Sequence, residues 1–428
     1  MKLCIAVLLN LAATFAVGAD LSGEWIAQVT RLGESQYVRV ILVQDGAKLT
    51  GTWGKSEIEG SAAGSRVKFS FRGSGPSGSF DGAIDGAELS GQGAMDQRRG
   101  SGAPQAVAVK MQRAVAPPKG GAKTWDFHAD EFHSTYSGAI AAVLRIFPGD
   151  QVRTSLLDDD GVDSKMQQRA GGSNPQIGPF YIEGALPGDT LVVKLTRVRV
   201  NRDSAQSGSR IKANLVDPAY LTGAKYEAGF NAQWTLDPDR RIARLAHPTE
   251  KMKNYTVPIR PMVGCIATAP PFHQSIRTLD LGPFGGNMDY NQVGEGATLY
   301  LPVFEPGALL FMGDGHAAMG DGEVTFAAVE TSLDVEFTVD ILKGSAIAFP
   351  RVENQEYFMA MGIAGSLDEA TRIATSQMAN WLKQAYRLTD NEVALVMGTA
   401  LKYDIAEMVD PQYNVVAKIP KLALAGFK

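Results

Sequence analysis

Cysteine is nearly absent from this chain of 428 residues, which contains only Cys4 and Cys265. Cys4 lies in residues 1–19, where Lys2, an apolar run and a final Val-Gly-Ala are typical of a cleaved secretory signal peptide. We therefore expect export, to the periplasm or the medium. The remaining cysteine cannot form an internal disulfide. Cys265 lies in apolar sequence without an adjacent cation, so we expect it in the core and not as a nucleophile.

The chain also lacks an excess of positive charge. Lysine and arginine number 41 against 46 aspartates and glutamates, a formal net charge of -5. Basic clusters interleaved with aromatic residues are missing too, so nucleic acid is not an expected partner. Beyond the N-terminal segment no apolar run approaches the roughly 18 residues of a membrane span, so no transmembrane segment is expected. Histidine is scarce as well, with five in the chain.

The pattern of apolar, polar and turn-forming residues changes along the sequence. Residues 20–115 alternate apolar and polar side chains between glycine-marked turns, which predicts a small all-β module of the barrel or sandwich type. Trp25 and Trp53 in this module are interpreted as core residues, with stacking on a sugar as the alternative. Residues 116–123 are rich in proline and glycine and predict a linker. Residues 124–428 then form a second, larger domain.

The larger domain is predicted to be mainly β, a barrel or sandwich, with helices near its C-terminus. Pro-Gly turns precede several apolar strands. Between Arg202 and Pro248 the pattern is weak and predicts an irregular connection. Sequences of the capping-box type begin at Ser366 and Thr389, and apolar residues with a helical period follow each of them. Two amphipathic helices are therefore expected to cover one side of the β body.

The polar segment 312–323 directly follows the apolar run 299–311 and contains Asp314 and His316. In a strand, residues two apart point to the same face. A carboxylate and an imidazole held together on rigid backbone suit a divalent metal ion. The alternative is a glycine-rich acidic turn exposed to solvent. Asp321 and Glu323 are interpreted as the polar end of the strand.

Three further segments concentrate polar residues beside glycine or proline. Most of the acidic run 158–163 is interpreted as a solvated turn, since its spacing does not match a calcium-binding loop. The other two segments are 172–184, which contains Asn174 and Glu183, and 282–289, which contains Phe284, Asn287 and Asp289. Glu183 is flanked by apolar residues and glycine, where a surface glutamate would be unusual.

These motifs, in this order, resemble the acetamidase/formamidase family. The similarity is carried by residues 173–188, 284–290 and 295–323 and by Val409-Asp410-Pro411, and it extends from about 125 to 420 without the N-terminal module. It implies a β-rich fold, hydrolysis of small linear or cyclic amides to a carboxylate and ammonia, and a homodimer. It also implies a divalent metal, zinc before calcium or another ion.

The resemblance also implies roles for individual residues, which fall into ligands, pocket residues and catalytic carboxylates. Asp289, Asp314 and His316 are expected to bind the metal, with His133 as a marginal fourth ligand. Glu183 is the expected general base, although which carboxylates are ligands and which act as bases, Asp314 included, stays open. The expected substrate-binding residues are Asn174, Phe284 and Asn287.

One position departs from the family pattern. Phe284 occupies a place where family members commonly have histidine, which leaves the substrate open and keeps a second function in consideration. In that alternative the protein is an exported, non-catalytic binding protein that retains the amidase fold. Its N-terminal module would then bind a glycan or a protein partner.

Overall fold

The computed structural model describes residues 20–96, 102–227, 230 and 232–427. The expected signal peptide, residues 1–19, lies outside the described residues, so export stays a prediction. The chain separates into two compact units, Met1–Ala116 and Pro117–Lys428. In the described part of the chain, no helix is both long and apolar enough to cross a membrane.

The first unit is a closed barrel of eight antiparallel strands, in which each strand pairs with the next and the last pairs with the first. The strands are β1 (Gly23–Arg31), β2 (Glu34–Asp45), β3 (Lys48–Trp53), β4 (Ser56–Ala63), β5 (Arg66–Gly73), β6 (Gly78–Asp85), β7 (Glu88–Met95) and β8 (Gln105–Arg113). Alternate residues point inward and form the core. Trp25 and Trp53 are fully buried there, and the Trp53 ring stacks on Phe71 at 4.6 Å. Their interpretation as core residues is confirmed.

The second unit is built mainly from strands, which are numbered onward in chain order. They are β9 (Thr124–Asp126), β10 (Thr135–Ser137), β11 (Leu144–Ile146), β12 (Gln151–Leu156), β13 (Gln176–Ile182), β14 (Thr190–Val200), β15 (Ser204–Ser207), β16 (Ala232–Asp237), β17 (Ile242–Leu245), β18 (Thr256–Pro258), β19 (Met262–Ala267), β20 (Ser275–Arg277), β21 (Leu281–Gly282), β22 (Gly285–Asn287), β23 (Thr298–Pro302), β24 (Leu310–Ala318), β25 (Val329–Glu330), β26 (Leu333–Leu342), β27 (Arg351–Glu353), β28 (Tyr357–Ala364), β29 (Lys402–Glu407) and β30 (Tyr413–Pro420).

Two large sheets contain nearly all of these strands. The eleven-stranded sheet has the order β18-β17-β16-β15-β25-β24-β19-β22-β21, with β13 on β24 and β11 on β13. The nine-stranded sheet has the order β29-β30-β28-β27-β23-β14-β26-β12-β9. Buried side chains of both sheets, among them Phe180, Met312 and Phe337, form one shared core. The predicted mainly-β domain is therefore observed as a sandwich of two sheets.

The α-helices are α1 (Pro218–Gly223), α2 (Leu367–Tyr386) and α3 (Asp390–Ala400). At the N-termini of α2 and α3, the Ser366 and Thr389 side chains accept hydrogen bonds from backbone N–H groups, as their sequences predicted. Helix α2 buries a stripe of residues against β28 and β30, in a core separate from that between the sheets. The prediction of an irregular connection from Arg202 to Pro248 is wrong, because that segment forms β15, α1, β16 and β17.

Candidate metal centre

Strand β24 positions the two residues that the sequence indicated first. It lies inside the eleven-stranded sheet. It pairs with β19 on one side, and β13 and β25 pair with successive parts of its other side. Asp314 is 2% exposed and His316 is 1% exposed. The alternative of a solvated turn is therefore wrong, because neighbouring strands cover both side chains. Asp314 itself adopts a left-handed backbone conformation, with φ of 63°.

Four carboxylates surround the Nε2 atom of His316. The distances from this atom are 3.1 Å to Glu330 Oε1, 3.5 Å to Glu323 Oε1, 3.9 Å to Asp289 Oδ1 and 4.0 Å to Asp314 Oδ1. Glu330 lies opposite His316 in the pairing of β25 with β24. All five side chains are buried. Nitrogen and oxygen donors thus converge on one small volume.

The C-terminal segment adds two more acidic residues. Oxygens of Asp289, Glu323, Glu407 and Asp410 lie within 4.8 Å of one another. Glu407 ends β29, and its Oε1 accepts hydrogen bonds from the backbone N–H groups of Val409 and Asp410. These bonds fix the turn that carries Asp410. The acidic cluster consequently extends from His316 to the last part of the chain.

The buried cluster has too few donors for its oxygens. Within the described residues, Asp314 Oδ1, Glu330 Oε2 and both carboxylate oxygens of Asp289 have no hydrogen-bond partner. Burial, followed by the Glu323 and Asp314 carboxylates, raises the pKa of Asp289 well above its ordinary value. Burial likewise raises the pKa of Asp314 to about 6. Burying like charges without a counter-charge is costly, so this arrangement suits a cation.

Burial lowers the pKa of His316, but the Glu330 and Asp314 carboxylates outweigh burial and raise that pKa well above its ordinary value. Without a metal, the imidazolium is the positive charge that the cluster holds. Its single charge faces four carboxyl groups, and a divalent ion would allow more of them to ionise than one imidazolium does. The residues present therefore fit a divalent metal.

Gly264 of β19 provides the space in which these side chains meet. A Cβ atom at this position would lie 2.3 Å from Asp314 Oδ2, 2.4 Å from Asp289 Oδ1 and 2.8 Å from His316 Cε1. Such distances are far below van der Waals contact. Only glycine lets both carboxylates approach the strand, and its carbonyl oxygen accepts a hydrogen bond from the backbone N–H of Asp289 at 3.3 Å.

A cavity of about 200 Å³ opens beside the cluster. Asn174 lines it and donates to Asn287 Oδ1 at 2.8 Å and to Asp314 Oδ2 at 3.3 Å. Asn287 in turn donates to Asp410 and accepts from the thiol of Cys265 at 2.8 Å. Cys265 is fully buried, which confirms its expected core position. The structure thus brings together Asn174, Asn287, Asp289, Asp314 and His316, all indicated by the sequence.

Three residues indicated by the sequence are placed elsewhere. Glu183 accepts a hydrogen bond from Arg145 Nε at 2.6 Å and does not line the cavity. Phe284 packs in an apolar cluster with its ring 5.6 Å from that of Tyr136. His133 pairs with Gln176 through backbone hydrogen bonds and belongs to none of the acidic clusters.

Other residues of the site were missed or misinterpreted. Asp159 lines the cavity, and burial followed by the Asp314 carboxylate raises its pKa to about 8. Asp158 forms a buried ion pair with Arg202 at 2.6 Å, and the Oδ1 atom of Asp159 is buried, so the interpretation of this run as a solvated turn is wrong for both residues. Glu323 belongs to the cluster and is not merely the polar end of a strand. Glu330 carried a usable signal, since it follows Ala-Ala-Val in an apolar stretch.

Comparison with known proteins shows which family this chain resembles. Residues 272–423 match the model of the Acetamidase/Formamidase family. A formamidase of Methylophilus methylotrophus is 26% identical over 52% of this chain, and an acetamidase of Mycolicibacterium smegmatis is 27% identical over 50%. The chain spans between 51% and 66% of the length of the curated relatives it matches.

Solved structures of relatives cover more of the fold. An acetamidase from Yersinia enterocolitica is 29% identical, with a TM-score of 0.59 over 70% of this chain and 93% of its own. A predicted acetamidase/formamidase from Thermoanaerobacter tengcongensis is 28% identical, with a TM-score of 0.60 over 72% of this chain and 99% of its own. The second unit is therefore similar to acetamidases and formamidases, and the N-terminal barrel lies outside the residues that the family model matches.

Proposed function

We propose that the second unit binds a divalent ion and hydrolyses a small linear or cyclic amide to a carboxylate and ammonia or an amine. The observation that carries this proposal is the buried acidic cluster, in which both oxygens of Asp289 lack a hydrogen-bond donor among the described residues. The relatives named formamidase and acetamidase support the same chemistry.

Asp289, Asp314 and His316 are the residues proposed to hold the ion. Zinc is proposed first because it accepts mixed imidazole and carboxylate ligands, whereas calcium takes six to eight oxygens. When bound, a divalent ion supplies Lewis acidity, which polarises an amide carbonyl and lowers the pKa of water from about 15.7 toward 7. Glu323 and Glu330 provide further negative charge near the same Nε2 atom of His316.

A proton must reach the leaving nitrogen as the C–N bond breaks, because an amide anion is a poor leaving group. Asp159 is proposed to carry that proton in place of Glu183. It lines the cavity but belongs to none of the three ligand clusters, so its carboxyl group is available to exchange a proton with the substrate. Glu183 is held outside the cavity by its ion pair with Arg145. Asn174 and Asn287 present side-chain amides that orient the substrate.

The experiment combines metal analysis with an ammonia-release assay on formamide and acetamide. We expect about one divalent ion per chain and ammonia release that chelation abolishes. His316→Ala should lose both, whereas His247→Ala should keep both, since His247 is exposed and outside the cluster. Full ammonia release by metal-free protein would overturn the metal-dependent mechanism. A stoichiometric ion without turnover of any amide would favour a binding protein.

The homodimer and the export stay proposals that rest on the family resemblance and on the N-terminal sequence. Light scattering of the purified chain at several concentrations tests the first. N-terminal sequencing of the mature protein tests the second, with cleavage expected before Asp20.

A further inference from the structure

A second and larger cavity adjoins the proposed metal centre. Its volume is about 710 Å³, and Glu323 lines both this cavity and the smaller one beside His316. The pairing of β24 with β25 relates the two spaces. His316 faces Glu330 at the metal centre, while the next pair, Ala318 and Val329, lines the larger cavity. Two residues along a strand span roughly 7 Å, so the larger cavity begins about one small ring away from the centre.

One part of the wall of this cavity is aromatic and apolar, and polar side chains line the rest. Trp234 is 8% exposed, and its indole Nε1 donates to Ser207 Oγ at 2.9 Å, which fixes the orientation of the ring. The Tyr255 ring lies 6.1 Å from that of Trp234 and is tilted by 55°. Tyr255 is 48% exposed and lies at the opening of the cavity. Val257 and Val329 complete the apolar surface.

The charged groups in the lining do not oppose an apolar occupant. Lys418 is paired with Asp404 at 2.7 Å, and Asp321 accepts a hydrogen bond from Asn291 at 2.7 Å. Arg260 is exposed at the rim. A neutral aromatic group would thus meet hydrophobic side chains and an aromatic edge or face, the contacts that aromatic rings favour. Formamide or acetamide, by contrast, would fill the smaller cavity and leave this one unused.

We infer that the larger cavity is a subsite for an aromatic group of the substrate, and that the substrate is the primary amide of an arylalkanoic acid. The inference rests on the proposed function and deepens it. The amide lies beside His316, Glu323 borders both spaces, and the ring packs against the exposed surfaces of the Trp234 and Tyr255 side chains. Hydrolysis forms the carbonyl–oxygen bond and breaks the carbonyl–nitrogen bond, with water as co-reactant and ammonia as leaving group.

The test compares kcat/KM for phenylacetamide and acetamide with the full chain loaded with zinc. We expect phenylacetamide to be preferred by at least about tenfold, because pocket burial of an apolar group discriminates to that extent. Trp234→Leu and Tyr255→Ala should each lower the phenylacetamide-to-acetamide ratio severalfold. Tyr220→Ala is the matched control, since Tyr220 is a similarly exposed tyrosine that does not line the cavity, and its ratio should equal that of the parent.

Equal kcat/KM values for the two amides in the parent protein would overturn the subsite, and so would an unchanged ratio in both pocket variants. Equilibrium dialysis of phenylacetamide against the loaded chain provides a readout that does not need turnover. Binding that is tighter than that of acetamide and is weakened by Trp234→Leu, without ammonia release, would overturn the hydrolytic function and keep the subsite. Equal binding of both amides would overturn the subsite whatever the activity.

Discussion

At the scale of single residues, the spacing of Asp314 and His316 indicated a site only together with the other polar segments, although a strand places such residues on one face. The burial of the strand could not be seen from spacing alone. Glu323, Glu407 and Asp410 reach the cluster through tertiary folding, so no local pattern marks them as neighbours. Glu183 shows the opposite case, in which a local pattern has a structural cause. Its apolar neighbours in the sequence reflect burial against β11, and its ion-pair partner Arg145 lies on that strand.

Gly264 offers a sharp residue-scale prediction. Gly264→Ala places a methyl group between Asp314 and Asp289, so we expect loss of stoichiometric zinc and at least about a hundredfold loss of ammonia release. Metal analysis and the amide assay measure both. Gly398→Ala is the control, because nothing lies within 4 Å of a Cβ there. A Gly264→Ala protein with normal zinc content would contradict the role assigned to this glycine.

Asp159 provides a second prediction at the same scale. Asp159→Asn keeps the size of the side chain but removes the exchangeable carboxyl proton, so ammonia release should fall by about 10² to 10⁴ while zinc is retained. The matched control is Asp239→Asn, at an exposed turn position. Unchanged kcat with acetamide would exclude Asp159 as the proton carrier and return Glu183 to consideration.

At the scale of elements, the helices were predictable and part of the eleven-stranded sheet was not. Capping residues act locally on the first turn of a helix, so Ser366 and Thr389 marked α2 and α3 in the sequence. Strands β15 to β17 are short and gain their pairing from distant partners, such as the bridge of Gln206 with Glu330. Propensity alone could not distinguish them from irregular chain.

The capping box of α3 gives an element-scale prediction. Thr389→Ala removes the hydroxyl that accepts from the backbone N–H of Glu392 and should lower the free energy of unfolding by about 1 kcal/mol. Gly398→Ala in the same helix should raise it by about 0.5–1 kcal/mol. Urea unfolding measures both changes. Ammonia release should not change in either variant, since α3 packs in the core outside the sandwich; a loss of activity would show that the helix supports the site.

At the scale of the whole molecule, each unit has a hydrophobic core of its own. The sequence indicated this division, because a segment rich in proline and glycine begins near residue 116 and the strand pattern differs on its two sides. Calorimetry should therefore resolve two unfolding transitions. Zinc should raise the free energy of unfolding of the second unit alone, by about 2.7 kcal/mol when the concentration of the free ion is 100 times its Kd. His316→Ala should abolish this shift, and a shift in the barrel's transition would contradict the assignment of the site.

The residues around His316 come from distant parts of the chain, from Asp159 to Asp410. Glu407 and Asp410 can join the cluster only after β29 and β30, near the end of the chain, have paired, because Glu407 ends β29. If the cluster holds a divalent ion as proposed, the full set of carboxylates can surround that ion only once this last part of the chain has folded. The ion supply at the place where folding finishes would then decide which ion is bound.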